Sequence, residues 1–280
     1  MARIPKTSPV LITGCSSGIG RASAIAFARR GFLTVATSRN LADIEDLRAE
    51  GCEIRALDVT DDGSAETVAA IEKRFGPVGV LVNNAGFPQY GPIEEVPLDG
   101  VRRSFETNVL GVVRMAQLVL PGMREVGRGR IVNVSSVAGR VSMPGAGIYH
   151  ASKFALEAIS DALRVEVKDF GIDVANVLPG PVATKFVGKV AAGLPDTGPD
   201  SPYRGFKDSV RLMMERALRP GNPGVLSPED IAAAILSAAT DRVPRIRYNV
   251  GSFSKLAPML HAIAPERVVD AAFLRVLGRR

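Results

Sequence analysis

Pro9-Val10-Leu11-Ile12-Thr13-Gly14-Cys15-Ser16-Ser17-Gly18-Ile19-Gly20 decides the fold. Its first five residues read as a short buried strand and Arg21–Arg30 as a helix, so the glycines fill a strand-to-helix turn. Glycines there let the backbone approach a pyrophosphate, and the helix N-terminus behind them offers free N–H groups and the positive end of its dipole. The spacing is G-x-x-x-G-x-G, not G-x-G-x-x-G. Alone, the turn also suits plain tight packing.

Outward from this turn, short apolar runs alternate with amphipathic stretches. Leu33–Thr37, Cys52–Leu57, Val78–Val82, Gly129–Val134, Ile172–Leu178 and Ile246–Val250 read as further strands. Helices are predicted at Leu41–Glu50, Ser64–Phe75, Val101–Met123 and Tyr149–Phe170. Continuously apolar strands, each followed by a helix, require a parallel sheet covered on both faces. Right-handed crossovers then predict an α/β, doubly wound, Rossmann-like three-layer sandwich of about seven strands. Residues 1–280 read as one nucleotide-binding domain. The span 184–224 interrupts the alternation: a turn-rich loop precedes Phe206, Val210, Met213, Met214, Ala217 and Leu218 on one helical face. It is read as a lid over a substrate or as one more core helix.

Composition narrows the function. With 46% apolar and 23% charged residues the chain is an ordinary globular protein, which excludes a disordered tail protein. Cys15 and Cys52 are too few for a disulfide framework and, with only His150 and His261, lack metal-ligand spacing. No metal is expected, and two reduced thiols suit the cytoplasm. Neither a secretory signal nor a membrane span is predicted. Of the formal charge of +6, all resides from Arg242 onward, where eight basic residues stand against Glu266 and Asp270. The body is therefore neutral, and with 5% aromatics and no Trp it presents neither a basic stripe nor a stacking platform for nucleic acid.

Three places carry chemistry. At the tip of the second strand, Ala36-Thr37-Ser38-Arg39 holds no acid, which would bind a free ribose 2′-hydroxyl; Arg39 offers a planar fork for a 2′-phosphate instead. That points to NADP rather than NAD. Asn83-Asn84-Ala85-Gly86 ends the fourth strand, a set of small residues and amides that suits a ribose or simply a turn. Ser136 ends the fifth strand, and Tyr149 and Lys153 share one helix face. An ammonium about 4 Å from a phenol would favour phenolate by roughly 4 kcal/mol, close to three pKa units before desolvation subtracts its share. The expectation is a phenol poised to exchange a proton near neutrality. Asn108, a mediocre helix former in mid-helix, implies a kink or a buried polar network. His150 points off the Tyr149 face and reads as a packing or surface residue.

Together, Thr13–Gly20, Asn83–Gly86, Asn108, Ser136, Tyr149–Lys153 and Pro179-Gly180-Pro181-Val182-Ala183-Thr184 resemble a short-chain dehydrogenase/reductase over residues 8 to 184. The 13-residue interval from Ser136 to Tyr149 matches that family's spacing. The resemblance implies an Asn108–Ser136–Tyr149–Lys153 tetrad. Tyr149 would be the acid/base, Ser136 would hold the substrate oxygen, and Lys153 would bind the nicotinamide ribose. Asn108 would anchor a relay water. Gly14, Ser16, Ser17, Gly18, Ile19, Gly20, Arg39, Asp58, Val59, Asn84, Ala85, Gly86, Pro179, Gly180, Val182 and Thr184, with Tyr149 and Lys153, would line the cofactor. The loop sequence is similar to hydroxysteroid and retinol dehydrogenases. This implies a bulky apolar alcohol or ketone (steroid-, retinoid- or lipid-like) as substrate and a homodimer or homotetramer paired through the helices Val101–Met123 and Tyr149–Phe170. A non-catalytic NADP(H)-binding sensor on the same fold is the alternative, although a sensor has no use for an activated phenol.

Residues 252–280 read as a basic helical tail. Val268, Val269, Ala272, Phe273, Val276 and Leu277 form an apolar stripe opposite Arg267, Asp270, Arg275 and Arg279. Such a helix packs on its own subunit or a neighbour, or rests on anionic lipid.

Overall fold

The computed structural model describes residues 4–184, 193–195, 198, 200–219 and 221–278. Among them, the apolar runs form seven parallel strands: β1 (Val10–Ile12), β2 (Thr34–Ser38), β3 (Glu53–Ala56), β4 (Val80–Asn83), β5 (Gly129–Val134), β6 (Ile172–Pro179) and β7 (Arg247–Val250). Their order across the sheet is β3-β2-β1-β4-β5-β6-β7, the doubly wound arrangement. Val10 is paired with Thr34 on one side and Val80 on the other. The winding therefore reverses at β1, and a crevice opens past the carboxyl ends of β1 and β4.

Two apolar cores follow from the pleat. Val10, Ile12, Val80 and Val82 point to one face, where they meet Phe27 of α1 (Gly18–Arg29). Leu11 and Leu81 point to the other, against Ile71 of α2 (Ser64–Phe75). The long helix expected around Val101–Met123 is three pieces: α3 (Leu98–Phe105), a π-helical turn (Glu106–Leu110) and α4 (Gly111–Glu125). The kink that Asn108 implied is this π turn. α5 spans Gly147–Glu166.

One expected helix is absent. Leu41–Glu50 folds as two short 3₁₀ turns, Leu41–Asp43 and Glu45–Arg48. Asn40 caps the first by accepting the Ala42 amide at 3.1 Å, and Ile44 between them leaves the helical region at φ −132°, ψ 9°, with its side chain fully buried. Ile44 and Leu47 are both buried in the core on the α1 side of the sheet.

The interruption contains α6 (Arg204–Ala217); residues 185–192, 196, 197, 199 and 220 of the span 184–224 lie outside the described residues. α7 (Pro228–Thr240) starts at a capping box: Ser227 Oγ accepts the Asp230 amide at 3.2 Å, and the Asp230 carboxylate accepts the Ser227 amide at 2.8 Å. α7 packs on the α1 side of the sheet through Ile231 and Ile235. The tail is α8 (Ser252–Ile263) and α9 (Glu266–Val276); Arg279 and Arg280 lie outside the described residues. Of the stripe in α9 only Leu277, just past its end, is buried, while Val268 and Val276 are more than half exposed. No helix among the described residues is long and apolar enough to cross a membrane. Cys15 and Cys52 are buried and unpaired.

Candidate active site

The crevice begins as a seam between two turns. Thr13 Oγ1 accepts the amides of Asn84 and Ala85, each at 3.0 Å. The Asn84 side chain answers by donating to the carbonyls of Thr13 (2.9 Å) and Gly14 (3.1 Å). Gly14 sits at φ +75°, and a Cβ there would lie 2.9 Å from Ala85 Cα. A Cβ on Gly20 would collide with Asn84 Nδ2 and the Gly14 carbonyl oxygen. The seam thus closes only on glycine. Ser17 is the N-cap of α1 without a side-chain capping bond, so the first N–H groups of that helix are free for an anionic oxygen. Ser16 and Ile19 are half-buried beside it.

The other expected cofactor positions surround this seam. Arg39 is exposed immediately past β2. Past β3, Asp58 takes the Thr60 amide and hydroxyl at 3.0 and 2.8 Å, and Val59 is buried with its carbonyl held by Arg114 at 2.7 Å. Gly86 is exposed past β4. Past Pro179 and Gly180, Val182 forms a parallel bridge with Leu226. Thr184 then reaches Gly18, whose Cβ, if present, would stand 3.2 Å from Thr184 Cγ2. A glycine seam, a helix N-terminus and a ring of strand ends fit a dinucleotide.

α5 carries the chemical face. Tyr149, Lys153, Glu157 and Asp161 recur every four residues, and the helix is tied to the sheet by a polar row. Asn83, Asn133 and Asn176 are in register on β4, β5 and β6, and Arg247 continues the row on β7. Asn83 donates to Asn133, Asn133 to Ser160, and Asn176 to Glu157, each at 2.9 Å. Arg247 donates to Glu157 at 2.8 Å and to Asp161 at 2.6 Å. This polar row across the sheet thus sets where α5 lies.

At the front of α5, Tyr149 is buried and its hydroxyl is hydrogen-bonded to Ser136. Ser136 Oγ also accepts the Ala138 amide at 3.1 Å, as the cap of the turn after β5. Lys153 Nζ lies 5.9 Å from the centre of the Tyr149 ring, but it donates to the Val134 carbonyl at 2.9 Å. This corrects the electrostatic expectation. Burial pushes the Tyr149 phenol up to about 12, against the pull of the Ser136 hydrogen bond. Burial likewise brings Lys153 down to about 8, opposed by the charge of Glu157. Lys153 donates to a strand carbonyl, desolvation dominates, and the phenol stays protonated near neutral pH.

Asn108 is buried, and its side chain ties Phe87 to α5. Its oxygen accepts the Phe87 amide at 2.8 Å, and its nitrogen donates to the Phe87 carbonyl and to Ser152 Oγ, both at 2.9 Å. His150 is buried, with Nδ1 2.5 Å from the Val141 carbonyl oxygen; that nitrogen must carry the proton, and burial lowers the ring's pKa.

Residues 8–194 match the family described as short chain dehydrogenase. The chain belongs to the short-chain dehydrogenase family. A short-chain dehydrogenase from Streptomyces avermitilis has a similar solved structure, with 35% identity and a TM-score of 0.79 over 96% of each chain. Human retinol dehydrogenase 8 is 37% identical, covering 88% of this chain and 82% of its own. The NADPH-dependent 3-dehydrocapnine reductase of Ornithobacterium rhinotracheale is 31% identical over 96% of this chain and 97% of its own. The protein is an oxidoreductase that uses a nicotinamide cofactor.

The dehydrogenase has a wall beside Tyr149 that sequence reading missed. Tyr90, Ala138, Ala146 and Leu194 cluster with it, and Met143 and Met214 pack on the cluster. Tyr90 is 5% exposed and stacks on Tyr149, with ring centres 5.6 Å apart and planes at 26°. Its one sequence signal is an aromatic shortly after the Asn83–Gly86 turn, too common a pattern to single out. The Asn133–Asn176–Glu157–Arg247 row was missed as well, although an Asn between apolar neighbours is visible in both β5 and β6.

Proposed function

We propose that this dehydrogenase is an NADP-dependent reductase of bulky apolar ketones or related carbonyls, working in reverse on the corresponding secondary alcohols. The observation that carries the reading is Tyr149: a buried phenol, held protonated, hydrogen-bonded to Ser136 and walled by apolar side chains. When bound, the nicotinamide supplies or accepts the hydride. Tyr149 delivers its proton to the carbonyl oxygen while Ser136 orients that oxygen. Lys153 and Tyr149 would hold the nicotinamide ribose, and the glycine seam with the α1 N-terminus would hold the pyrophosphate. Arg39, with no acid at the tip of β2, supports the 2′-phosphate, as does the NADPH dependence in the name of the Ornithobacterium relative. Asn108 would act by fixing Phe87 and Ser152. The span 184–224 would serve as a lid, since α6 places Met214 against the Tyr149 cluster.

Tyr149→Phe is expected to bind NADPH as the wild type does and to lose about 10²- to 10⁴-fold in kcat, read by NADPH oxidation against steroid, retinoid and long-chain carbonyls. Undiminished turnover overturns this function.

Two surfaces support assembly. Leu110, Phe154 and Val165, on the π turn and α5, are 51%, 44% and 66% exposed, which suits pairing of subunits as a homodimer or homotetramer. On α8, Phe253, Leu256, Leu260 and Ile263 form a stripe at least half exposed on every residue. Beside the basic tail, this stripe suits contact with anionic lipid. Sedimentation with and without anionic vesicles tests both: a monomer mass overturns the first, and no co-pelleting at low salt overturns the second.

A further inference from the structure

Residues 87–97, between β4 and α3, touch the proposed lid at one end and the proton donor at the other. Toward α6, Glu95 pairs with Lys207 at 2.8 Å, both side chains about nine-tenths buried, and also accepts the hydroxyl of Ser201. Glu94 accepts the Tyr203 hydroxyl at 2.7 Å, and Lys207 donates in addition to the Pro195 carbonyl at 3.1 Å. Toward α5, Tyr90 lies face to face with Tyr149, and the Gly91 amide donates to the Gly145 carbonyl at 2.8 Å. Gly145 is in turn where α6 lands: a Cβ there would stand 2.8 Å from Val210 Cγ2 and 3.3 Å from the Phe206 ring.

There is little slack between the two ends. Gly91 has φ +139°, and a Cβ on it would lie 2.7 Å from Pro195 and 2.9 Å from Val96. Gln89 is 5% exposed, its amide donating to the Tyr90 carbonyl at 3.1 Å. A segment packed this closely transmits a displacement instead of absorbing it. Two tyrosine rings in contact over a buried face likewise leave Tyr149 little freedom that Tyr90 does not share.

We propose that Tyr90 is a positioning residue for Tyr149, and that the Glu95–Lys207 pair sets its place, so that the seat of α6 and the aim of the proton-donating hydroxyl change together. A substrate bulky enough to be gripped by Met214 and Leu194 then brings the phenol to its working position, whereas a small carbonyl that leaves α6 unseated does not. The inference rests on Tyr149 acting as the proton donor. It adds a source of size selectivity that involves no direct contact between Tyr90 and the reacting atoms.

The test compares the wild type with Tyr90→Phe, Tyr90→Leu, Lys207→Met and the double variant Glu95→Gln/Lys207→Met, which removes the ion pair without leaving a lone buried carboxylate. Hydrogen–deuterium exchange, which needs no substrate, is followed over 87–97 and 204–217. NADPH affinity, kcat, KM and their pH profiles are measured with whichever carbonyl of a panel from propanal to all-trans-retinal the wild type reduces best. Loss of the ion pair is expected to raise exchange in both segments together and to raise KM for the bulky carbonyl. Tyr90→Leu is expected to lower kcat on the order of ten- to a hundredfold and to displace the alkaline limb of its pH profile, with NADPH affinity unchanged. Tyr90→Phe, which keeps the stacked ring, restores both. Freed exchange in 204–217 with wild-type protection in 87–97 overturns the coupling. Wild-type kcat and pH profile in Tyr90→Leu overturn the positioning role. If the wild type reduces no carbonyl of the panel, the reductase reading fails, while the exchange data still decide the coupling.

Discussion

Where β1 and β4 end, the chain closes its crevice with backbone groups and its shortest side chains: Thr13, Gly14, Gly20, Asn84. Where α6 meets residues 87–97, it uses long side chains and buried charge: Lys207, Glu95, Tyr203, Tyr90. The first region joins residues by backbone-scale bonds that tolerate almost no change of shape. The second is held by long side chains, and its polar links join residues more than a hundred positions apart, as with Tyr203 and Glu94 or Lys207 and Glu95. A pyrophosphate is the same in every cofactor molecule, so a rigid cradle suits it. Substrates differ in bulk, and a wall of side chains whose seat shifts as one piece can select among them.

The sharpest way to break this comparison is to put a methyl group into the seam. Gly20→Ala must displace Asn84 or the Gly14 carbonyl, and it is expected to abolish measurable NADPH binding and to cost about 1–3 kcal/mol of stability, read by titration and thermal melting. Wild-type affinity would show that the seam yields as readily as the wall. Smaller in effect, Arg39→Asp is expected to weaken NADPH at least about tenfold, ~1.4 kcal/mol, with NADH little changed. Equal losses for both cofactors would remove Arg39 from the 2′-phosphate.

The smallest effect is on stability against pH, where two kinds of buried group pull in opposite directions. Burial raises Cys15 from 9.0 to about 12 and Cys52 to about 11. Their neutral forms are favoured in the fold, so that stability is complete below pH 9 and lost as the pH climbs through the folded values. Lys153 is lowered from 10.5 to about 8, so its buried ammonium is a cost that is relieved between pH 8 and 10.5. The melting temperature is expected to rise slightly from pH 8 to 9 and to fall above about 9.5 as the thiols ionise. Lys153→Met should abolish the rise, and Cys15→Ala should soften the fall. A monotonic fall from pH 8 in the wild type would mean that Lys153 is not buried as a cation.

Sequence alone determined the order of strands and helices, the glycine turn, and the alignment of Ser136, Tyr149 and Lys153 at one edge of the sheet. These follow from local signals: apolar runs, the four-residue repeat of a helix face, and glycine where a side chain cannot fit. Tertiary structure alone decided what those groups do to one another. Lys153 donates to the Val134 carbonyl, the phenol is governed by its burial, and Leu41–Glu50 forms two 3₁₀ turns in place of a helix. Tyr90 meets Tyr149, and Glu95 meets Lys207, across gaps in the chain that no periodicity spans. Desolvation and side-chain pairing depend on what surrounds a residue in space, and that is settled only when distant segments have packed.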